Sequence, residues 1–379
     1  MSASFVAPLL DTRQVVVCVG AGGVGKTTTT AALGVAAARS GRHVIVLTID
    51  PANRLADALG LPPLSGGPTP VPLERLGMRV PGSLAAMRLD ARATFDDLVR
   101  RLAPSETAAA TILGNRLYTN IAGNLAASES YMAVEKLYQL VHEAPSDLII
   151  LDTPPTDHAL DFLDAPARIL DVLNSRALGI LQNPATVLTA TGSRLSQLVL
   201  GTILRVLEDF TGLTLLRDVA EFVRAFDGMV DGLRTRAESV KRLVRAPTTA
   251  FVLVTSPNTL AAGRTEAFYR TLERSGVPCA GLIANRVLPR TLFDRPPIPP
   301  DAGGGSGLPP LLADKLARSF EDLHALALAE YQVIERLRTR LALGPRIIEV
   351  PAFAADLASL EDVRRFAERL VDGDGETPA

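Results

Sequence analysis

The run Gly20-Ala21-Gly22-Gly23-Val24-Gly25-Lys26-Thr27 gathers in one stretch the groups that a polyphosphate needs. Its spacing satisfies G-x-x-x-x-G-K-[ST]. Glycines let the backbone close around a phosphate chain, and successive N–H groups supply positive field. Lys26 is placed to reach the β- and γ-phosphates, and Thr27 to put its hydroxyl on Mg²⁺. Gly20, Gly22, Gly23, Val24, Gly25, Lys26, Thr27 and Thr28 are therefore the candidate nucleotide-binding residues, with Lys26 also a catalytic candidate. Two acidic segments complete the chemistry. Asp152-Thr153-Pro154-Pro155 follows the apolar run Leu148 to Leu151; an aspartate there holds Mg²⁺ through water, or caps the turn before the two prolines. Thr27 and Asp152 are the metal candidates. Asp50-Pro51-Ala52-Asn53-Arg54-Leu55-Ala56-Asp57 follows a second apolar run. A carboxylate at Asp50 could orient an attacking water, although an Asp-Pro pair also marks a plain turn into a helix.

These residues need a scaffold that brings loop ends together. Val15 to Gly20 has the composition of a buried strand, Thr27 to Arg39 that of an alanine-rich helix ending before Gly41, and Val44 to Ile49 that of a second strand. Strand, glycine loop, helix and strand make a βαβ unit, which implies a parallel sheet. Further strands are expected at Leu84 to Leu89, Leu148 to Leu151, Ala250 to Thr255, Ala280 to Asn285 and Arg346 to Val350. The fold class is thus α/β, a doubly wound and mostly parallel sheet in a single domain spanning residues 1–379. Ligands bind such sheets at the carboxyl ends of the strands, where Gly20, Asp50 and Asp152 all fall. Residues 91–143 and 161–245 carry apolar side chains at helical spacing without strand candidates and are expected to form an inserted helical subdomain. Leu61 to Pro72 and residues 289–310, crowded with proline and glycine, are expected to be mobile linkers.

The bulk composition excludes other classes. Of 379 residues, 39 are basic and 41 acidic, a net charge of -2 that argues against a general nucleic-acid binder. The two cysteines, Cys18 and Cys279, lie in or beside apolar runs and form no disulfide framework or metal knuckle, which suits a reducing, cytoplasmic location. No secretory leader is expected in the opening residues. Apolar runs such as Leu198 to Leu204 are far shorter than the roughly 18 to 20 residues that span a bilayer, so stable membrane insertion is not expected.

Taken in order, the glycine loop, Asp50 to Asp57, Asp152 to Leu160, Thr255-Ser256-Pro257-Asn258-Thr259-Leu260, Gly281 to Pro289 and Glu349-Val350-Pro351 through Leu360-Glu361 resemble the ArsA-type ATPases. That group includes the arsenical pump-driving ATPase and the tail-anchored-protein targeting ATPase. The resemblance spans nearly the whole chain and implies a P-loop fold of the deviant Walker A class, hydrolysing ATP with Mg²⁺ as a dimer. It implies that Asp50 positions the hydrolytic water, that Asp152 lies near Mg²⁺ and that Asn285 contacts adenine. It also implies that the loop from Val350 to Asp356, with Pro351, closes over the base. The absence of an Asn-Lys-x-Asp guanine signature agrees with adenine.

Departures from that pattern bear on function. The usual loop has a lysine where this chain has Ala21, and that lysine reaches the phosphates of the opposite subunit. Either a related lysine-bearing subunit supplies the cation in a heterodimer, or a homodimer hydrolyses slowly and serves as a nucleotide-gated switch. Asp157 stands where the family has glycine, and His158 is either a sensor or an ordinary helix-start histidine. No Cys-x-x-Cys or cysteine cluster is present, which removes a zinc clasp and disfavours arsenite as a ligand. In the targeting ATPases the helical subdomain forms a hydrophobic client groove. Here Ile180, Leu181, Val187, Leu188, Leu195, Leu198, Val199, Leu200, Ile203 and Leu204 could floor such a groove, or pack inward as a bundle core, the usual fate of apolar stripes. Three functional expectations remain: a dimeric ATP-driven switch for a protein or apolar client, a nonhydrolytic regulatory subunit, and a partition or positioning ATPase. The last lacks a basic stripe, and the tail from Asp372 to Ala379 is acidic.

Overall fold

The computed structural model of the chain describes residues 4–76, 80–115, 118, 126–154, 161–174, 226–289, 292, 309–353, 357 and 359–372. Strands β1 (Val15–Val19), β2 (His43–Thr48), β3 (Thr69–Pro70), β4 (Ser83–Arg88), β5 (Leu148–Asp152), β6 (Thr249–Thr255), β7 (Cys279–Val287) and β8 (Ile347–Pro351) form one sheet in the order β3-β4-β2-β5-β1-β6-β7-β8. Every neighbouring pair is parallel except β3 with β4. The fold is the doubly wound α/β sheet expected from the sequence. β1, β5 and β6 are buried at every residue, which explains their unbroken Val, Ile and Leu runs where strands of a one-sided sheet would alternate.

Two compact units divide the chain. The first comprises Met1–Arg88, Glu143–Leu160 and Pro247–Ala379 and contains the whole sheet. Its helices are α1 (Val6–Thr12), α2 (Lys26–Arg39) and α3 (Arg54–Leu59) before the insertion. The second unit, Leu89–His142 and Asp161–Ala246, contains α4 (Ala91–Leu102), α5 (Glu106–Gly114), α6 (Ala126–Glu143, but for its final residue), α7 (Asp161–Leu173) and α8 (Val230–Arg245). The first unit then resumes with α9 (Thr259–Arg274), α10 (Pro310–Leu341) and α11 (Leu360–Asp372). Inside the second unit, Glu135 is fully buried and takes a two-pronged contact from Arg236, whose guanidinium also lies 3.9 Å over the Tyr138 ring. Breaking such a pair would strand a buried charge.

α2 is the centre of the first unit. Its residues from Thr29 to Ala38 are buried, because the sheet covers one side and α1, α3 and α11 cover others. Alanine and glycine permit that crowding: a Cβ at Gly34 would stand 2.9 Å from both Leu84 and Val46. α11 presents Leu360, Val363, Phe366, Ala367 and Leu370 to this core at helical spacing.

One expectation is overturned. Leu61 to Pro72 is no mobile linker, since it buries Leu64 and Val71 and contributes β3, hydrogen-bonded beside β4. Its proline is tolerated because β3 is an edge strand, where an N–H is dispensable. Residues 290, 291 and 293–308 of the second proposed linker lie outside the described residues, as do Thr156, Asp157, His158, the candidate groove residues Ile180 to Leu204, and most of the acidic tail. No described helix is long and apolar enough to cross a membrane.

Candidate nucleotide-binding site

β1 delivers the glycine loop at its carboxyl end, and the neighbouring parallel strands deliver the rest. β2 leads into Asp50, β5 ends on Asp152, and β7 carries Asn285. The register fixes their heights: Thr48 and Cys18 each stand opposite Asp152, from β2 and β1 respectively.

The loop's geometry depends on its glycines. Gly23 and Gly25 adopt φ of 77° and 92°, the left-handed region that other residues enter at a cost. Gly20 is required for another reason, since a Cβ there would sit 2.1 Å from the Val254 carbonyl oxygen. Gly22 and Gly23 are exposed, while Gly25, Thr27 and Thr28 are half-buried at the start of α2, where free N–H groups and the helix dipole favour an anion.

Lys26 is only 5% exposed and donates to the carbonyls of Gly20, at 3.0 Å, and Ala21, at 2.9 Å. An ammonium has three N–H groups, so one remains for a phosphate. Burial lowers its pKa, and the carboxylates of Asp152 and Asp50 oppose that shift.

Asp152 is the hub of the polar network. Its Oδ2 accepts from Thr27 Oγ1 at 2.8 Å and from Thr48 Oγ1 at 3.0 Å. Its Oδ1 is buried with no hydrogen-bond partner among the described residues. Burial pushes its pKa up to about 6 against the pull of those two hydroxyls and Lys26. A buried acceptor left without a donor is unusual, and together with the Thr27 hydroxyl it makes an all-oxygen donor set of the kind that suits a hard divalent cation. No cluster of three His, Cys, Asp or Glu occurs among the described residues.

Asp50 is buried and hydrogen-bonded at both carboxylate oxygens. Its N–H donates to Thr48 Oγ1 at 3.2 Å, its Oδ1 accepts from the Ala52 N–H at 2.9 Å, and its Oδ2 accepts from Arg54 at 3.2 Å. The structure thus joins Asp50 to Asp152 and Thr27 through Thr48. The sequence reading missed Thr48, Arg54 and Arg88, which donates to the Pro51 carbonyl at 3.3 Å. The Asp50/Arg54 spacing of i, i+4 was the available signal for one of them.

Asn285 is also buried, and its Nδ2 donates to the Val24 carbonyl at 2.9 Å, so this side chain braces the loop from β7. The following residue, Arg286, has φ 62° at a break in the register between β7 and β8. A cleft of about 430 Å³ opens beside Ala21 to Val24, bordered by Asn258, Arg264, Arg286 and Glu330. Pro351 ends β8 next to Val287, one strand beyond Asn285; residues 354–356 of its loop lie outside the described residues.

A glycine loop between a central parallel strand and a buried helix, with a lysine turned back onto it and an aspartate bonded to its threonine, defines a P-loop nucleotide-binding protein. The chain belongs to the anion-transporting ATPase family, the ArsA ATPases, which it matches over residues 13–296, and it is an ATPase. It is 26% identical over 353 residues to ATPase ARSA2 of Chlamydomonas reinhardtii, covering 89% of this chain and 82% of the relative. It is 27% identical over 297 residues to ATPase GET3C of Arabidopsis thaliana, covering 73% and 67%. An ATPase ASNA1 homolog of Cryptosporidium parvum is 27% identical over 270 residues, covering 71% and 64%.

Proposed function

We propose that this chain binds MgATP on the Gly20 to Thr28 loop and hydrolyses it as one half of a cytoplasmic dimer, coupling nucleotide state to capture and release of a protein or apolar client. The observation that carries the site is the Thr27–Asp152–Thr48 network beside the buried Lys26. Loop amides and Lys26 hold the phosphate chain. Thr27, and Asp152 with its unpartnered Oδ1, would hold Mg²⁺. When bound, the ion would supply positive charge against the phosphate oxygens. Asp50 orients the attacking water, while Asn285 and Pro351 flank the adenine. The client role rests on the resemblance to the targeting ATPases.

A second reading has one observation in its favour. Ala21 packs with Val24, Val254 and Ala261 in a small apolar cluster and is 6% exposed, so no ammonium stands at this loop position. The chain would then be a slow or nonhydrolytic subunit activated by a lysine-bearing partner. Steady-state hydrolysis by the purified chain across a range of its own concentrations separates the two. A homodimeric enzyme gains specific activity as concentration rises, and Asp50→Asn loses turnover by about 100-fold while retaining ATP affinity. Wild-type turnover at the Asp50→Asn level at all concentrations would favour the partner-dependent subunit.

A further inference from the structure

We infer that Arg54 supplies the phosphate-facing cation from within the chain: it pairs with Asp50 when the site holds no nucleotide and moves onto the triphosphate when one binds, releasing Asp50 to orient water. The inference rests on the phosphate-site reading above.

Arg54 opens α3, a short helix anchored by Leu55, Ala56, Ala58 and Leu59, all buried. Its backbone is therefore fixed, but its side chain is 64% exposed and touches Asp50 through a single 3.2 Å contact. An exposed one-point pair at i, i+4 is among the weakest ionic contacts in a protein and is readily exchanged. Asp50, by contrast, is held in place by the Ala52 N–H and by Thr48. The pair therefore has one fixed member and one free member.

A hydrogen-bonded chain runs from Arg54 through Asp50, Thr48 and Asp152 to Thr27 at the first turn of α2. The guanidinium is thus four hydrogen bonds from Thr27 along this chain and contributes to the field at Lys26. On this side of the loop two cations, Lys26 and Arg54, accompany two carboxylates, Asp50 and Asp152, while Arg286 reaches the Gly23 carbonyl at 3.5 Å. A triphosphate adds several negative charges, more than one Mg²⁺ cancels, and Ala21 contributes none in compensation. A guanidinium offered both a single carboxylate and a polyphosphate goes to the denser charge, where its forked donors make paired bonds.

The exchange also resolves a conflict at Asp50. A carboxylate oxygen paired with a guanidinium is a weaker acceptor for a water; losing Arg54 returns both acceptor sites of Oδ2 to the water. In the hydrolytic step the water oxygen bonds to the γ-phosphorus as the bond to the β–γ bridging oxygen breaks. Its electrons stay on ADP, and the proton of the water passes to the released phosphate. Arg54 stabilises the charge that builds on the transferring oxygens, the role of an arginine supplied in cis.

The test uses the full chain with Arg54→Gln and Arg54→Lys. Affinities for ADP and for a nonhydrolysable ATP analogue are measured beside kcat. Arg54→Gln is expected to lose about 100-fold in kcat, the loss typical of one preorganised donor, to narrow the preference for the triphosphate over ADP, and to leave ADP affinity and Tm unchanged. Arg54→Lys should fall between. Turnover at or above wild type in Arg54→Gln would show a brake instead, and an unchanged triphosphate preference would also overturn the inference. Lys26→Ala separates the levels. If it binds ATP like wild type, the phosphate-site reading fails and this inference with it. If it loses ATP while Arg54→Gln behaves as wild type, only the inference fails.

Discussion

Asp152 shows most clearly how burial turns a sequence position into chemistry. Two threonine hydroxyls and an ammonium favour its ionised form, yet desolvation wins and raises the carboxyl to about 6. A raised carboxyl pKa means that the folded protein binds a proton more tightly than the unfolded chain, so this group lowers stability as pH climbs through about 6. Asp152→Asn removes that loss. In metal-free, nucleotide-free protein the stability of Asp152→Asn relative to wild type should therefore increase between about pH 4 and about pH 6, as followed by thermal unfolding; a difference independent of pH would contradict the raised pKa. The thiols of Cys18 and Cys279 are also raised by burial, to about 12, which keeps both as inert thiols at neutral pH. At this scale the positions of the glycine loop and of Asp152 at the strand ends were legible because each sits directly after an apolar strand run. The bond from Asn285 to Val24 was not legible, because it joins residues far apart in sequence whose meeting is fixed only by the strand order.

Among the elements, the glycine loop depends on its two neighbours in different ways. Gly20 is pressed against the backbone of β6, and Gly23 has open space around it with only its positive φ to protect. Gly20→Ala should therefore destabilise the protein by about 1–3 kcal/mol through backbone overpacking and impair nucleotide binding. Gly23→Ala should cost about 1–2 kcal/mol of strain without moving β6. Chemical denaturation together with ATP titration compares them. Equal losses of ATP affinity in the two variants would mean that the close approach at Gly20 does not shape the loop. Every strand but β3 was predictable to within a residue or two because each carries a mostly apolar run, and α2 because its alanine run is bracketed by Gly25 and Gly41. α1 was missed because seven residues carry too little periodicity. β3 was missed because its proline and glycine neighbours signal a loop, and only the edge position in the sheet makes a strand acceptable there.

For the whole molecule, one parallel sheet gathers the carboxyl ends of β1, β2, β5 and β7, so a loop, two aspartates and an asparagine far apart in the chain share one site. The order of strands, with β1 between β5 and β6, could not be read from apolar runs, which give strand existence but not neighbour identity. Membership of the ArsA ATPase family was legible, because several segments recur in a fixed order over most of the chain. The most direct test of the site is calorimetric titration of MgATP onto the full chain and onto Lys26→Ala, at a concentration where both are folded. A loop that grips phosphates through its amides and this buried ammonium predicts saturable binding to wild type and a loss of about 10- to 100-fold or more in the variant. Equal affinity in the two proteins would contradict it.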